Sequence, residues 1–221
     1  MQGLSAELLL ILPVLLASLV LHELAHGLVA DALGDPTPRT LGRLTINPLP
    51  HLDVFGTLML VVTAAASTVS GQAFIFGWAK PVPIDPRNFR SPQRGMMLVG
   101  AAGPLTNFAV AVVASQVMRL SGDTSSLLFV VAYYLYVLNL FLGFLNLIPI
   151  PPLDGSRVLG GLLPAGLYPA WLALDRYGGY LFLVLFVIIY ARPGALSAVF
   201  TPLFHAASAV LLPGWQMTAP A

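Results

Sequence analysis

The sequence has no cysteine, few charges and only two glutamates, Glu7 and Glu23. Without cysteine, disulfides, iron–sulfur clusters and thiolate zinc sites are excluded. Charged residues make up 9% of the 221 positions, against roughly 25% in a soluble domain. Net charge is +1 and no run of basic residues occurs, so nothing points to nucleic acid as a partner. Hydrophobic residues are abundant instead, at 57%. That composition describes an integral membrane protein whose partner is the lipid bilayer.

Apolar runs lie near 4–21, 54–76, 95–118, 126–149, 178–191 and 195–213. A membrane span needs about 20 mostly apolar residues, so four to six of these runs are candidates. The first run has no basic residues before it, carries Glu7 and leads straight into a His/Glu cluster. It therefore reads as a mature helix and not as a signal peptide. No repeat, linker or large polar block interrupts the chain, which is expected to form a single membrane domain over 1–221. Its longest polar segments, 31–53 and 77–94, are rich in Pro and Gly. "GWAKPVPIDPRNFR" reads as extended or turning chain, because proline disfavours helix in the residue before it.

The polar cluster is "SLVLHELAHGLVA", residues 18–30. His22 and His26 are four apart, so on a helix they share a face and can reach one ion. With Glu23 they form the HExxH pattern, in which two imidazoles hold Zn²⁺ and the glutamate is the general base for bound water. Two of the four histidines and one of the two glutamates fall within these five positions. Ionisable groups in a membrane helix cost about 2.5–3.5 kcal/mol each on insertion scales, which argues against an idle cluster.

A catalytic zinc keeps three protein ligands and one open position, so a third ligand is required. No glutamate follows Glu23, which rules out a third Glu downstream. Asp31 lies nine residues beyond His22, rotated by about 180° on a helix of 3.6 residues per turn. His51 or Asp53 in "NPLPHLD" and Asp154 in "NLIPIPPLDG" remain, with His205 and Asp175 as outsiders. Asp154 follows a strongly apolar run where Pro149, Pro151 and Pro152 break regular helix. On spacing alone it reads equally as a ligand or as an Asp-Gly turn.

Three segments together carry a resemblance: "HELAHG" at 22–27, "GPLTNF" at 103–108 and "NLIPIPPLDGSRVL" at 146–159. In this order they resemble the site-2 protease family of intramembrane zinc metalloproteases, over most of residues 8–160. "GRLTINPLPHLDVFGT" and "FGWAKPVPIDPRNFR" are similar to a compact prokaryotic branch without PDZ or CBS domains. The resemblance implies one Zn²⁺ held by His22, His26 and Asp154, Glu23 as the base, and hydrolysis of a transmembrane protein substrate within the bilayer. It implies a catalytic core over about 4–160, with C-terminal helices over about 168–213. It also makes Asn107 and Asn146 candidates for oxyanion stabilisation or substrate positioning. His51 is a candidate gate or extra polar group beside the site. Ser156 departs from the family pattern, where a second glycine often follows the Asp-Gly pair.

The resemblance places a demand on topology. Asp154 must lie on the membrane face at which the first helix exits, so an even number of crossings must separate them. Runs 95–118 and 126–149 supply two, which makes 54–76 a re-entrant or shallow element. Arg39, Arg43, Lys80, Arg87, Arg90, Arg94, Arg157 and Arg176 then fall on one side, with Arg119 and Arg192 opposite. By the positive-inside rule the crowded side is cytoplasmic. The expected protein is a multi-pass cell-membrane protein with its N-terminus outside and its active site towards the cytoplasmic half of the bilayer. The expected fold is an all-α, polytopic helical bundle with a re-entrant segment and a short β-hairpin before the second full span. "AFIFGWAKPVPI" reads equally as a strand edge offered to an extended substrate or as packing of the re-entrant element against the core. The alternative function for such a cluster is zinc transport, which would not need Glu23 as a base.

Overall fold

The computed structural model describes residues 2–70, 77–192 and 194–214. In chain order its helices are α1 (Gln2–Ala32), α2 (Thr37–Thr40), α3 (Val54–Ser70), α4 (Pro92–Ser121), α5 (Leu127–Asn146), α6 (Asp154–Leu162), α7 (Tyr168–Asp175), α8 (Gly178–Ala191) and α9 (Ala195–Leu211). Among the described residues, three helices are long and apolar enough to cross a membrane: α1 from Leu8, α4 and α5. They pack against one another, and α6 lies against α4. Large apolar side chains such as Leu105, Val113 and Leu127 stay exposed on their outer faces, as expected where lipid is the solvent.

Local sequence sets the helix ends. At the end of α1, Gly34 adopts φ +105° and Asp35 N donates back to Ala30 O at 3.0 Å. This glycine stop reverses the chain, since a left-handed residue there suits only Gly without strain. Ser91 and Pro92 open α4, with Pro at the first helical position, where its missing N–H is not needed. Ser126 caps α5 by accepting from Phe129 N at 3.2 Å. Asp53 does the same for α3, accepting from Gly56 N at 2.8 Å.

Of the run at 54–76, residues 54–70 are described and 71–76 lie outside the described residues. Helix α3 covers 17 described residues, and between α1 and Asp154 the described helices long and apolar enough to cross a membrane are α4 and α5. The expected hairpin is reduced, among the described residues, to one antiparallel bridge between Leu52 and Ala79. Lys80 N donates to His51 O beside it at 2.8 Å. "AFIF" at 73–76 lies outside the described residues. The C-terminal runs are shorter than spans: α8 has 14 residues and α9 has 17, with Pro202 inside it.

Two apolar cores hold the bundle. The larger joins α4, α5 and α9 through Ala111, Phe129, Tyr136, Leu140, Phe200 and Phe204. Tyr136 Oη and Ser208 Oγ share a 2.9 Å hydrogen bond inside it. The smaller joins α1, α4 and the 84–89 segment through Ala30, Phe89 and Val99. Between these cores α1 and α4 cross at the polar cluster.

Candidate metal centre

His22 and His26 sit one turn apart on α1, and both are buried. Asp154 opens α6 just beyond the proline-broken end of α5, and is also buried. Their ligand atoms converge. His22 Nε2 and His26 Nε2 are 3.0 Å apart, and Asp154 Oδ2 lies 3.0 Å from the first and 3.2 Å from the second. Four-coordinate zinc, with Zn–N of about 2.0–2.1 Å, holds neighbouring donors roughly 3.3 Å apart. The donor set therefore fits Zn²⁺ in both chemistry and spacing. A cradle surrounds it: a Cβ on Gly103 of α4 would lie 2.5 Å from His26 Nε2 and 2.6 Å from His22 Nε2. Among the described residues, no other group of three His, Asp or Glu side chains meets in this way.

The outer nitrogens of both imidazoles are engaged. His26 Nδ1 donates to Val99 O at 2.6 Å, and His22 Nδ1 donates to Asn107 Oδ1 at 2.6 Å. Carbonyl oxygens can only accept, so each ring carries its proton on Nδ1 and keeps Nε2 free as a ligand. Asn107 Nδ2 donates onward to Asn139 Oδ1 at 2.8 Å, and Asn139 Nδ2 donates to Ser18 Oγ at 2.8 Å. The chain of bonds closes on α1, where Ser18 Oγ donates to Val14 O. Asn139 and Ser18 were not apparent as site residues in the sequence. Their signal was there, however, because Ser18, His22 and His26 recur every four residues on one helical face, and Asn139 is a buried amide in an apolar span.

Burial works to raise the Asp154 carboxyl. The two imidazoles beside it outweigh that effect and hold it below the usual carboxylate range. Its other oxygen, Oδ1, lies 3.4 Å from Arg157 Nη1, one turn further along α6.

Glu23 is half-buried and its Oε2 accepts from Val82 N at 2.8 Å. Val82 stands between Pro81 and Pro83, which have no N–H to give. The segment is pinned on both sides: Arg43 Nη2 donates to Lys80 O at 2.6 Å, and Asp85 N donates to Asp35 Oδ2 at 2.7 Å. No side-chain signal marks Val82 for this role, because its contribution is made by the main chain.

The other candidates take separate places. Asp53 caps α3, Asp31 pairs with Arg39, and His205 and Asp175 are exposed. Asn107 has both ends of its amide engaged, by His22 and Asn139. Asn146 donates to Leu142 O at 3.0 Å and lines a cavity of about 340 Å³ beside the cluster. That cavity is also lined by His22, Glu23 and His51, and by apolar residues including Leu15, Leu19 and Phe141.

The chain is similar to known zinc metalloproteases. The model for Peptidase family M50 matches residues 117–170. YwhC of Bacillus subtilis, whose name is that of a zinc metalloprotease, is 37% identical over 182 residues, covering 78% of each chain. Rip2 of Mycolicibacterium smegmatis, similarly named, is 32% identical over 180 residues, 78% of this chain and 64% of that one. The zinc metalloprotease MJ0392 of Methanocaldococcus jannaschii is 30% identical over 152 residues, 67% of this chain and 33% of that one. No solved structure matches.

Proposed function

The chain belongs to peptidase family M50, the site-2 zinc metalloproteases, and from that premise we propose that His22, His26 and Asp154 hold its Zn²⁺ and that Glu23 is its general base. The observation that carries this reading is the meeting of two Nε2 atoms and one carboxylate oxygen within 3.0–3.2 Å. When bound, Zn²⁺ supplies a Lewis acid for the scissile carbonyl and brings the pKa of its water down to about 7. The residues of the chain do the rest. Glu23 takes a proton from the attacking water and passes it to the amide nitrogen as the C–N bond breaks. Val82 N–H holds one carboxylate oxygen of Glu23 in place. Asn107 and the Val99 carbonyl fix the two imidazoles.

The substrate under this reading is a transmembrane segment of another protein, entering the cavity unwound. The apolar walls suit a membrane-derived peptide, and Asn146 on the same wall is placed to position it. The catalytic core is residues 4–160 with 168–213 as flanking helices, in one domain. The chain lies in the cell membrane with its N-terminus outside and the site towards the cytoplasmic half, an orientation supported by the bias of Arg and Lys.

The test is Glu23→Gln in protein reconstituted into liposomes with a panel of single-span peptides. Cleavage by the wild type is expected to be lost, with one zinc per chain retained by elemental analysis. Undiminished cleavage by the variant overturns the assignment of Glu23, and loss of zinc from wild type and variant alike overturns the metal centre.

A further inference from the structure

Arg39, Arg87 and Arg157 each pair with an aspartate, Asp31, Asp85 and Asp154 respectively. Arg90 and Arg94 do not: both are exposed, and neither side chain has a hydrogen-bond or ion-pair partner among the described residues. Together they line a second cavity, of about 170 Å³, beside the start of α4. Leu33 from the end of α1, Phe89 and Leu98 give it apolar walls, and no carboxylate lines it. The chain is bent tightly to form it. Gly95 N donates to Ser91 O at 2.8 Å, and Phe89 lies so close over Gly95 that a Cβ there would overlap its ring.

The depth of this cavity follows from the length of α4. Its 30 residues span about 45 Å, whereas the hydrocarbon core is about 30 Å thick and the bilayer with its headgroups about 40–45 Å. Arg94 and Arg119 are 25 residues apart, or about 38 Å. Each therefore stands at headgroup depth, in opposite leaflets. Beyond Arg94, Leu98, Leu105 and Val112 follow on one face of α4, within about 40° of it around the axis. They are exposed by 47%, 63% and 41%, a strip of the helix that faces lipid. Two unpaired cations thus stand over a continuous apolar stripe. Arg119 closes the far end of the same face alone, because the adjoining turn offers Asp123 and no second cation.

We propose that the cavity at Arg90 and Arg94 binds the phosphate headgroup of an anionic phospholipid in the leaflet where α1 ends, with an acyl chain laid along Leu98, Leu105 and Val112. Two guanidinium groups supply forked donors that match phosphate oxygens. A zwitterionic lipid brings a cation of its own and is held less well by the pair. A soluble phosphate could use the arginines, but the stripe beneath them suits only a ligand with a hydrocarbon tail. Because Leu33 and Leu98 come from different helices, the bound lipid joins the end of α1 to the start of α4. The site is separate from the metal centre and does not depend on it.

The test titrates the full chain in detergent with dioctanoylphosphatidylglycerol, with dioctanoylphosphatidylcholine, and with glycerol phosphate as the soluble source of the same headgroup. Complexes are counted by native mass spectrometry. The wild type is expected to bind one phosphatidylglycerol per chain, more tightly than either of the other two. Arg90→Gln combined with Arg94→Gln should weaken that binding by about 30-fold, at about fivefold for each cation lost, while Arg119→Gln leaves it unchanged. Arg90→Lys combined with Arg94→Lys keeps the charge without the fork and should fall between wild type and the glutamine pair. Both arginines are exposed and unpartnered, so the melting temperature without added lipid should be the same in all variants. Equal phosphatidylglycerol affinity in wild type and the glutamine pair overturns the proposal. So does an equal loss in Arg119→Gln, which would reflect general attraction to charge, or phosphatidylcholine binding as tightly as phosphatidylglycerol. Glycerol phosphate binding as tightly as the lipid overturns the lipid assignment in favour of a soluble phosphate.

Discussion

His22 Nδ1 and Asn107 Oδ1 lie 2.6 Å apart in the middle of the bundle, joining α1 to α4 behind the ligand cluster. The bond fixes the His22 ring with Nε2 facing Asp154. Groups that orient a ligand in this way typically contribute 10–100-fold in metal affinity. Asn107→Ala is therefore expected to weaken zinc binding by about 10- to 100-fold, measured by competition with a chelator. Asn139→Ala should have a smaller effect of the same sign, because it acts on His22 only through Asn107. Equal zinc affinity in Asn107→Ala and wild type would show that the ring needs no such support.

Gly103 tests the cradle. A methyl group there would stand 2.5 Å from His22 Cε1 and from His26 Nε2, well inside van der Waals contact. Overpacking of this kind costs about 1–3 kcal/mol, and relief requires the two rings to part. Gly103→Ala is expected to lose zinc while keeping its helical circular dichroism. Gly166→Ala, where a Cβ meets nothing within 4 Å, serves as the neutral control. Retention of stoichiometric zinc by Gly103→Ala would contradict the placement of the metal against α4.

The legible and illegible parts of this site divide along a physical line. The pairing of His22 with His26 follows from helix geometry within a single element, so spacing alone exposes it. The approach of Asp154 depends on two intervening helices, and residue spacing leaves it level with an Asp-Gly turn. Only motif resemblance singles it out. Ser18, Asn139 and Asn107 form one network only because three helices rotate their polar faces inwards, and rotation about a helix axis is set by packing. Val82 is harder still, since the group that matters is a main-chain N–H between two prolines.

Asp35 ties the end of α1 to the 85–88 turn. It is fully buried and its carboxylate accepts from Thr37 N, Thr37 Oγ1, Asp85 N and Asn88 Nδ2. Burial acts to raise its pKa, but these donors outweigh it and hold the carboxyl below its ordinary value. A depressed carboxylate adds stability that is present above the unfolded value of about 3.9 and is lost as pH falls through the folded value. Asp35→Asn should destabilise the protein by about 1–3 kcal/mol at pH 7. The gap between wild type and variant in thermal unfolding should narrow as pH is lowered below about 4. A gap independent of pH would mean that the ionised form is not what the turn requires.

The absence of cysteine makes orientation directly measurable, since single cysteines can be introduced without a background. Ser125 lies in the turn between α4 and α5, and Arg90 lies just before α4. With the N-terminus outside, Ser125→Cys should react with an impermeant maleimide on intact cells, and Arg90→Cys should react only after permeabilisation. The reverse pattern would place the site towards the outer half of the membrane.

The link between Glu23 and Val82 bears on turnover and not on metal binding. Hydrogen bonds to charged groups contribute about 1.5–3 kcal/mol, which corresponds to roughly 10- to 100-fold in rate if lost at the transition state. Val82→Pro removes the donor that Glu23 Oε2 accepts, while Val82→Ala keeps it and trims only the side chain. Because the segment is held independently through Lys80 and Asp85, the proline variant should still fold and bind zinc. Its kcat on a reconstituted single-span peptide is expected to fall by that factor, with Val82→Ala close to wild type. If both variants lose activity equally, the side chain of Val82 matters through packing and its N–H does not steer the base.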